Sequence, residues 1–578
     1  MTAEARYVIG LDIGDGESCL AWAPLDRSEP TRIYTRQLSM ERSIVTAVAQ
    51  SPSGRLIGDD AVTRHGATNF SVNFKEVPNS AETPAAVVFA QSLLAEFREC
   101  HPEVVADGVA FVGHPAGWPA EAVASYGRHL GLLGLPVRLM PESQSALLHV
   151  RDRCQDDRRL ERVLIVDVGS STTDFTVVED LSPRNLPVGA ALGCRRIDQE
   201  LAGRVRAALR HDTALMAALD AEGGPEFLLL ACRWAKEAQF SGRSRRIMDL
   251  REACEERFRP IVAAAWTWLL NLEIAPMVAA PGGWGEKFRT ALAEAANLLG
   301  DRPPRLVVLT GGGSRMPIAG RLCREVFPAS ELEHDDDPSF AVARGLVSNG
   351  QQQAVVRRFR RDVSGLMRAP ATEATVRAEA VLALDDMKAR VTAQATEAHG
   401  SAADLTRRIK IGMFEAACAL SESLEFHLAM RVRKICRNYG IPGDDVRLGL
   451  APLNVFEEQL DRILHLLGQF QRLTEHTSRV GFAGIPQDVA RHALSSGFEQ
   501  ARKKFASPLI PGMAQQAINA AVSHSGLGAE FAARARILYI LRGAEYSPEQ
   551  LDQIVAQVLA AITAQVDTRA GELERWLA

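Results

Sequence analysis

The sequence lacks the patterns that mark disulfide-rich, zinc-binding, membrane-spanning and secreted proteins. Its nine cysteines form no CxxC pair and its thirteen histidines form no HExxH motif, so neither a disulfide framework nor a zinc site is expected. No apolar run approaches the about 18 uninterrupted residues that a membrane helix needs. The N-terminal sequence has no basic stretch followed by a long apolar run, which a signal peptide would have. These absences predict a cytoplasmic protein with reduced thiols.

An excess of charge of either sign is also missing. The chain has 66 Lys and Arg residues against 71 Asp and Glu residues, a formal net charge of −5. This balance gives no reason to expect a nucleic-acid partner or binding to an anionic membrane surface. The hydrophobic fraction of 47% is ordinary for a globular protein, and a length of 578 residues predicts two or more domains.

Short apolar runs alternate with helical patterns over about the first 347 residues. Such runs are typical of buried strands, and their alternation with helices predicts an α/β fold whose sheets are covered on both faces. The predicted strands lie at residues 7–13, 108–112, 163–168, 174–178 and 306–309.

The pattern changes after Gly345. A polar and basic junction at residues 351–361 is followed, from about residue 370, by helical periodicity. The clearest helix start is at Ser547, which is a good N-cap residue. Pro548 fits the first helical position, and Gln550 can close a capping box with Ser547. Further helices are predicted at residues 405–439, 455–472 and 487–505. We therefore expect domains at 1–348 and 370–578, with a linker or junction helix at 349–369.

The first candidate site motif follows the strand at residues 7–13. Asp12, Gly14, Asp15 and Gly16 form an Asp-x-Gly segment that turns into a hairpin. Such a turn can present backbone N–H groups to phosphate, and the Asp12 carboxylate can hold a hydrated magnesium ion through its waters. Taken alone, the motif is as well explained by an ordinary β-turn, which uses the same residue types.

The second motif repeats the first. Asp167 and Gly169 end the strand at residues 163–168, and the small hydroxyl residues Ser170, Ser171 and Thr172 follow. Two such hairpins in one chain suggest a duplicated fold with a phosphate clamped between its halves. The pair is more specific than either motif alone.

A run of three glycines follows the strand at residues 306–309. Gly311, Gly312 and Gly313, with Ser314 and Arg315 after them, permit close backbone approach to an anion or a nucleobase. A flexible turn is the other interpretation of this glycine run.

Together the three motifs resemble the phosphate-1, phosphate-2 and adenosine motifs of the actin-like ATPase superfamily. Within it they are most similar to the nucleotide-binding domain of the seventy-kilodalton heat-shock (DnaK-type) chaperone family, over roughly residues 6–348. The resemblance implies a two-lobed, ribonuclease H-like α/β ATPase domain that binds ATP or ADP with Mg²⁺.

The resemblance also implies individual roles at the phosphate end. Lys75 would approach the γ-phosphate and the attacking water, and Glu142 would face magnesium. Asp167 would orient water, Thr172 would lie near the γ-phosphate, and Pro115 would be the switch proline. The implied catalytic residues are Lys75, Glu142, Asp167 and Thr172, and the implied metal residues, acting through water, are Asp12, Glu142 and Asp167.

At the nucleoside end, Lys236 would contact ribose and Arg315 would stack against adenine. The full set of implied nucleotide-binding residues is Asp12, Gly14, Asp15, Gly16, Gly169, Ser170, Ser171, Thr172, Lys236, Gly311, Gly312, Gly313, Ser314 and Arg315.

Several positions depart from the family pattern. Asp15 and Glu17 stand near the first turn where the family has small polar residues, and their carboxylates would repel a triphosphate unless they point outward or recruit another cation. Conversely, Arg195, Arg196 and Arg233 stand where the family has acidic residues. Cys194 replaces a glycine, and Ser339 replaces an acidic residue.

Three functions fit these observations. The first is an ATP-driven switch that passes nucleotide state to an unidentified protein partner through residues 370–578. The second is a weakly catalytic nucleotide-binding scaffold, which the carboxylates of Asp15 and Glu17 motivate. A small-molecule kinase of the same fold ranks lowest, because no separate substrate aspartate motif is found. A general chaperone is not expected, because no β-sandwich pattern follows the first domain.

Overall fold

The computed structural model describes residues 5–36, 42–63, 66–75, 77–78, 83–153, 161–179, 182–189, 191–242, 245–270, 274–335, 337–397, 402–442, 446–453, 456, 465 and 546–573. The chain divides into two compact units, Met1–Ala354 and Val355–Ala578. The first unit is mixed α/β, and the described part of the second is helical. At this level the predicted fold class is confirmed.

All described strands lie in the first unit. They are β1 (Tyr7–Ile13), β2 (Glu17–Pro24), β3 (Arg32–Ile33), β4 (Ile44–Val45), β5 (Ala47–Ser51), β6 (Gly54–Ile57), β7 (Thr68–Val72), β8 (Gly108–His114), β9 (Val137–Pro141), β10 (Arg162–Val168), β11 (Thr173–Glu179), β12 (Ser182–Leu186), β13 (Leu306–Thr310) and β14 (Glu331–His334).

The two larger sheets of this unit have the same topology: in each, three strands of a meander are followed by two strands from later in the chain. The first runs β3-β2-β1-β8-β9, with β4 paired to β2, and the second runs β12-β11-β10-β13-β14. In each sheet the first three strands of that order are antiparallel and the last two run parallel to the third. A separate sheet has the order β6-β5-β7. The duplication suggested by the two hairpins is therefore visible in the strand topology.

The helices of the first unit are α1 (Gly58–Thr63), α2 (Ala85–Cys100), α3 (Pro102–Ala106), α4 (Ala120–Leu130), α5 (Glu142–Arg153), α6 (Arg195–Ala208), α7 (Thr213–Asp220), α8 (Gly224–Ser241), α9 (Arg245–Ala253), α10 (Arg259–Leu270), α11 (Ile274–Ala279), α12 (Trp284–Leu299) and α13 (Pro317–Val326). Helix α14 (Ala341–Met367) begins in the first unit and ends in the second, so that it covers most of residues 349–369.

Helices cover both faces of the first sheet. Ile9 and Leu11 of β1 pack in a core cluster with Phe89 of α2. On the opposite face, Val8 of β1 packs in a cluster with Leu346 of α14. Because neighbouring residues of a strand point to opposite faces, a strand covered on both sides must be apolar along its whole length. This explains why β1 was recognisable from its sequence.

Glycines allow α14 to approach its neighbours closely. A Cβ added at Gly345 would overlap the backbone carbonyl of Ser145 in α5, and one added at Gly10 in β1 would overlap the carbonyl of Ala343. The helix therefore lies with its backbone directly against the first sheet and α5.

The second unit contains α15 (Pro370–Glu397), α16 (Ala402–Asn438) and α17 (Pro548–Leu573). Helices α15 and α16 are antiparallel, since Glu379 accepts a hydrogen bond from Ser423 at 2.6 Å while Arg390 contacts Glu415 at 3.5 Å. Helix α17 packs in the same core cluster through residues such as Val558 and Ile562.

The helix start at Ser547 is confirmed. The Ser547 hydroxyl accepts the backbone N–H of Gln550 at 3.2 Å, and the Gln550 side chain accepts the N–H of Ser547 at 3.0 Å. These reciprocal bonds are the capping box. The helix predicted at 405–439 corresponds to α16, whereas those predicted at 455–472 and 487–505 lie outside the described residues apart from 456 and 465. Within the described residues, no helix has both the length and the apolar character needed to cross a bilayer.

Substituting Gly345 by alanine should destabilise the first unit. The added Cβ must displace the Ser145 carbonyl, and overpacking of this kind typically costs about 1–3 kcal/mol. The matched control is Gly203→Ala in α6, where an added Cβ meets nothing within 4 Å and alanine should stabilise the helix by about 0.5–1 kcal/mol. Thermal unfolding of the two variants should shift in opposite directions, and equal shifts would contradict the packing described for α14.

Candidate functional site

One pocket of the first unit is lined by the turns that follow β1, β10 and β13. Its volume is about 1180 Å³, including the space at its mouth that is open to solvent. Every implied site residue lines this pocket except Ser314 and Pro115. The lining residues from the implied set are Asp12, Gly14, Asp15, Gly16, Lys75, Glu142, Asp167, Gly169, Ser170, Ser171, Thr172, Lys236, Gly311, Gly312, Gly313 and Arg315.

The two Asp-x-Gly turns are built alike. Asp12 and Asp167 are the penultimate residues of β1 and β10, and each lies opposite the hairpin's returning strand. A Cβ added at Gly14 would overlap the carbonyl oxygen of Glu17, and one added at Gly169 would lie 3.0 Å from the carbonyl oxygen of Thr172. Glycine is therefore needed where the first hairpin folds back on itself, and a side chain at the matching position of the second hairpin would be tightly packed.

The glycine turn is held beside the second of these hairpins. Because β13 pairs with β10 in parallel, Thr310 lies next to Asp167 at the strand ends. Gly311 has a positive φ of 77°, and a Cβ added there would overlap the Asp167 carboxylate. Only glycine combines this backbone conformation with so close an approach.

Carboxylates gather around Lys75 at one end of the pocket. Lys75 Nζ forms an ion pair with Glu142 Oε1. Burial opposes the charged form of Lys75, but the carboxylates of Glu142 and Asp12 outweigh burial and raise its pKa above the usual range. The lysine is therefore a fixed positive charge and not a proton acceptor.

The aspartates of this end are harder to ionise than usual. Burial and the neighbouring Glu142 raise the pKa of Asp12 to about 7. Burial and the nearby Asp174 raise the pKa of Asp167 well above its ordinary value. Burial also raises the pKa of Asp174 to about 6, against the hydrogen bond that Thr172 Oγ1 donates to it at 2.8 Å. So many acidic groups beside one lysine favour a bound proton or an added cation.

Direct ligation of a metal ion by this cluster is not indicated. Across the part of the chain that the structure describes, no three His, Cys, Asp or Glu side chains form a group that could hold a metal ion. The carboxylates of Asp12, Glu142 and Asp167 nevertheless line one pocket, which suits an ion held through its water ligands.

The carboxylates of the first turn face inward and meet arginines of the same chain. Asp15 accepts a hydrogen bond from Ser170 Oγ at 3.0 Å and lies 3.5 Å from Arg195. Glu17 pairs with Arg246 and lies 4.0 Å from Arg233. Burial acts to raise the pKa of Glu17, but Arg246 and Arg233 outweigh it and lower that pKa to about 2.

These pairs involve the positions that the sequence analysis found unlike the resembled family. Asp15 lies 3.5 Å from Arg195 and Glu17 lies 4.0 Å from Arg233, so each acidic residue has a basic residue beside it. The cation that Asp15 and Glu17 were expected to recruit is therefore supplied by the protein. Glu17, Arg233 and Asp174 also line the pocket and were not among the site residues expected from the sequence, although the opposite charges at 17 and 233, both unlike the resembled family, were a usable signal.

The other end of the pocket is less acidic and partly apolar. Lys236 Nζ pairs with Asp198 Oδ1 at 2.7 Å, so the group expected to contact ribose already has a buried carboxylate partner. Arg315 donates a hydrogen bond to Ser339 Oγ at 3.0 Å. Phe240 and Met316 also line this pocket and offer surfaces to a planar ring.

Two implied residues do not line the pocket. Ser314 is buried in the short 3-10 turn Gly312–Arg315. Pro115 is buried directly after the last residue of β8, and its carbonyl oxygen accepts the backbone N–H of Trp118 at 3.2 Å. A switch role for Pro115 stays a prediction.

Comparison with known proteins does not name a family. The chain matches no protein-family model, and no curated protein matches it significantly. Its function is therefore inferred from the fold and the pocket.

Replacing Asp12 by asparagine should change how stability depends on pH. The pKa of Asp12 is about 7 in the folded protein, against an ordinary value of 3.8 that applies to the unfolded chain. The folded state therefore binds the carboxyl proton of Asp12 more tightly than the unfolded state does. Wild-type stability should therefore fall relative to Asp12→Asn as pH rises from about 4 to 7. Melting temperatures measured across this range check the expectation. The exposed Asp301→Asn serves as control, and a wild-type to Asp12→Asn difference independent of pH would contradict it.

Proposed function

We propose that the first unit is an actin-like, ribonuclease H-like nucleotide-binding domain, similar to that of the seventy-kilodalton heat-shock chaperones. The observation that carries this proposal is the repeated topology. Two sheets of identical strand order each end a central strand in Asp-x-Gly, and both turns line one pocket with a glycine turn. Its ligand is ATP or ADP with Mg²⁺, and its reaction is slow hydrolysis of ATP to ADP and phosphate.

The phosphate end has the groups that such a reaction needs. Transfer of a phosphoryl group to water depends on positioning and on neutralising charge more than on covalent chemistry. Lys75 supplies a permanent positive charge, and the turns supply the hydroxyls of Ser170, Ser171 and Thr172. A bound magnesium ion would add charge neutralisation, with its waters held by Asp12, Glu142 and Asp167.

Asp167 is the residue we assign to the attacking water. Its raised pKa makes its ionised carboxylate a stronger base than that of an ordinary aspartate. The glycine turn fixes its position, because the side chain fits against Gly311 only in the absence of a Cβ there.

Slow turnover is expected because a carboxylate of the first turn occupies hydrogen-bond donors that the ligand would use. Asp15 accepts hydrogen bonds from Ser170 Oγ and from the backbone N–H of Lys75 at 3.3 Å. These donors belong to the segments that would face phosphate, so the ligand must share them with a carboxylate. The same bonds favour the second candidate, a nucleotide-binding scaffold that does not turn over. A small-molecule kinase has no comparable observation in its favour.

The helical second unit is the part we assign to a protein partner. Helix α16 exposes large apolar side chains, with Phe414 61%, Phe426 64% and Met430 57% accessible. Phe426 and Met430 lie one helical turn apart, and neighbouring exposed apolar side chains are typical of interaction sites. In the switch hypothesis, residues 370–578 bind this partner and respond to nucleotide state.

Substituting Lys75 by alanine should distinguish the ATP-driven switch from the nucleotide-binding scaffold. Wild-type protein should bind Mg²⁺–ATP in the micromolar range or tighter by calorimetry, and it should release phosphate slowly. Loss of the lysine charge should lower phosphate release by about 100-fold or more. The exposed Lys287→Ala in α12 is the matched control and should leave phosphate release unchanged.

Each outcome of this experiment decides between the functions. If wild-type protein shows no Mg²⁺–ATP binding, the nucleotide function fails. If it binds but phosphate release is at background in both proteins, the scaffold is supported. The melting temperature of Lys75→Ala with and without ATP verifies that the variant is folded, because removing the lysine leaves Glu142 without this partner.

A further inference from the structure

Glu17 is the centre of a charged cluster that links the first sheet to helices α8 and α9. It is the first residue of β2 in the first sheet. Its Oε1 pairs with Arg246 of α9, and its Oε2 accepts the hydroxyl of Ser339 at 3.1 Å. Arg246 also donates to the backbone carbonyl of Ser43 at 3.1 Å. The side chains of Glu17 and Arg246 are 17% and 7% exposed, so the pair is largely shielded from water.

Arg233 of α8 completes the cluster. Its guanidinium lies 4.0 Å from Glu17 and pairs with Glu237 at 2.8 Å. A Cβ added at Gly16 would overlap this guanidinium, so the arginine lies directly on the first turn. Arg315 also acts on Glu17 through its charge.

A second connection runs through Asp15. Its side chain is 1% exposed, lies 3.5 Å from Arg195 of α6, and accepts the hydroxyl of Ser170 in the second turn. Helices α6, α8 and α9 contribute Ile197, Leu228 and Ile247 to the core cluster that contains Val166 of β10. By contrast, Ile9 and Leu11 of β1 belong to a different cluster, whereas Val45 of β4, which pairs with Glu17, packs with the helices. The acidic residues therefore hold the first turn, at the end of β1, against helices that pack in a different cluster from β1.

We propose that these contacts, Glu17 with Arg233 and Arg246 and Asp15 with Arg195, form a clasp that must open for a nucleotide to enter or leave. This inference rests on the proposed function and adds what controls ligand exchange. Glu17 and Arg246 are positioning residues in this account: they act on the ligand by holding the first turn against α8 and α9. Because Arg233, Arg246 and Arg315 all act on the one carboxylate of Glu17, removing its negative charge leaves mutually repelling guanidinium groups around the turn.

The clasp predicts a change in the ligand dissociation rate that is opposite to the change expected if only the charge of the pocket mattered. Glu17→Gln keeps the size of the side chain but removes its negative charge, which would strengthen binding of an anionic ligand and slow its dissociation if charge alone mattered. If the clasp controls exchange, the same substitution loosens the first turn and accelerates dissociation. The direction of the change therefore distinguishes the two explanations.

Stopped-flow fluorescence of the full chain with a fluorescent ATP analogue and Mg²⁺ measures the dissociation rate. Glu17→Gln and Arg246→Gln should each raise it by about 10-fold or more, and the double variant should be no faster than the faster single variant, because the two residues act as one pair. Arg246 is not among the residues lining the pocket, so its effect cannot come from a lost ligand contact. Arg246→Lys keeps the charge and should restore much of the slow rate.

The control is Glu325→Gln, which removes an exposed ion pair with Arg289 at 3.0 Å and should leave the rate unchanged. Slower dissociation in Glu17→Gln, or independent effects of Glu17→Gln and Arg246→Gln that multiply in the double variant, would overturn the clasp. Rates equal to wild type in both single variants would overturn it as well.

Hydrogen exchange gives a readout that needs no ligand. Each single variant should accelerate amide exchange in the first turn and in α9 together, and the double variant should add nothing further. If wild-type protein binds no nucleotide, the proposed function fails, and unchanged exchange in the variants would independently overturn the clasp.

Discussion

The pocket depends on one arrangement, in which two aspartates occupy the same position in the central strands of two sheets with the same strand order. Asp12 and Asp167 each precede the last residue of a central strand, in sheets of the same order and direction. Parallel pairing of β13 with β10 then brings Gly311 against Asp167. Because each strand is apolar along its length and covered by helices, its position is fixed by packing, and the polar chemistry is confined to the strand ends. Lys75 and Glu142 come from separate segments and form an ion pair there.

The elements that the sequence predicts well are those whose signal is local. The strand at 7–13 matches β1, and that at 163–168 differs from β10 by one residue, because an uninterrupted apolar run between turn residues has few other interpretations. The capping box at Ser547 was equally readable, since both partners lie within one helical turn. The three turns of the site were found for the same reason: their glycines and aspartates are adjacent in the chain.

Contacts between distant residues could not be predicted in this way. Glu17 and Arg246 are 229 residues apart in the chain, and nothing local marks either as the partner of the other. The carboxylates of Asp15 and Glu17 were therefore expected to repel a ligand, whereas the structure shows them held by arginines. Lys236 is a similar case, because its pairing with Asp198 depends on how α6 packs against α8. Local sequence patterns thus located the turns of the site, but the folded structure was needed to balance its charges.

The charged contacts at the first turn also constrain which substitutions this protein can accept over evolutionary time. An uncharged residue at position 17 removes the shared carboxylate of Arg233 and Arg246, and the loss of either arginine leaves Glu17 under-neutralised in a shielded site. Each single step is unfavourable, so these positions are expected to be replaced together. In descendants of this chain, the identities of residues 17, 233 and 246 should covary, and a lineage with an uncharged residue 17 should have lost its arginines as well.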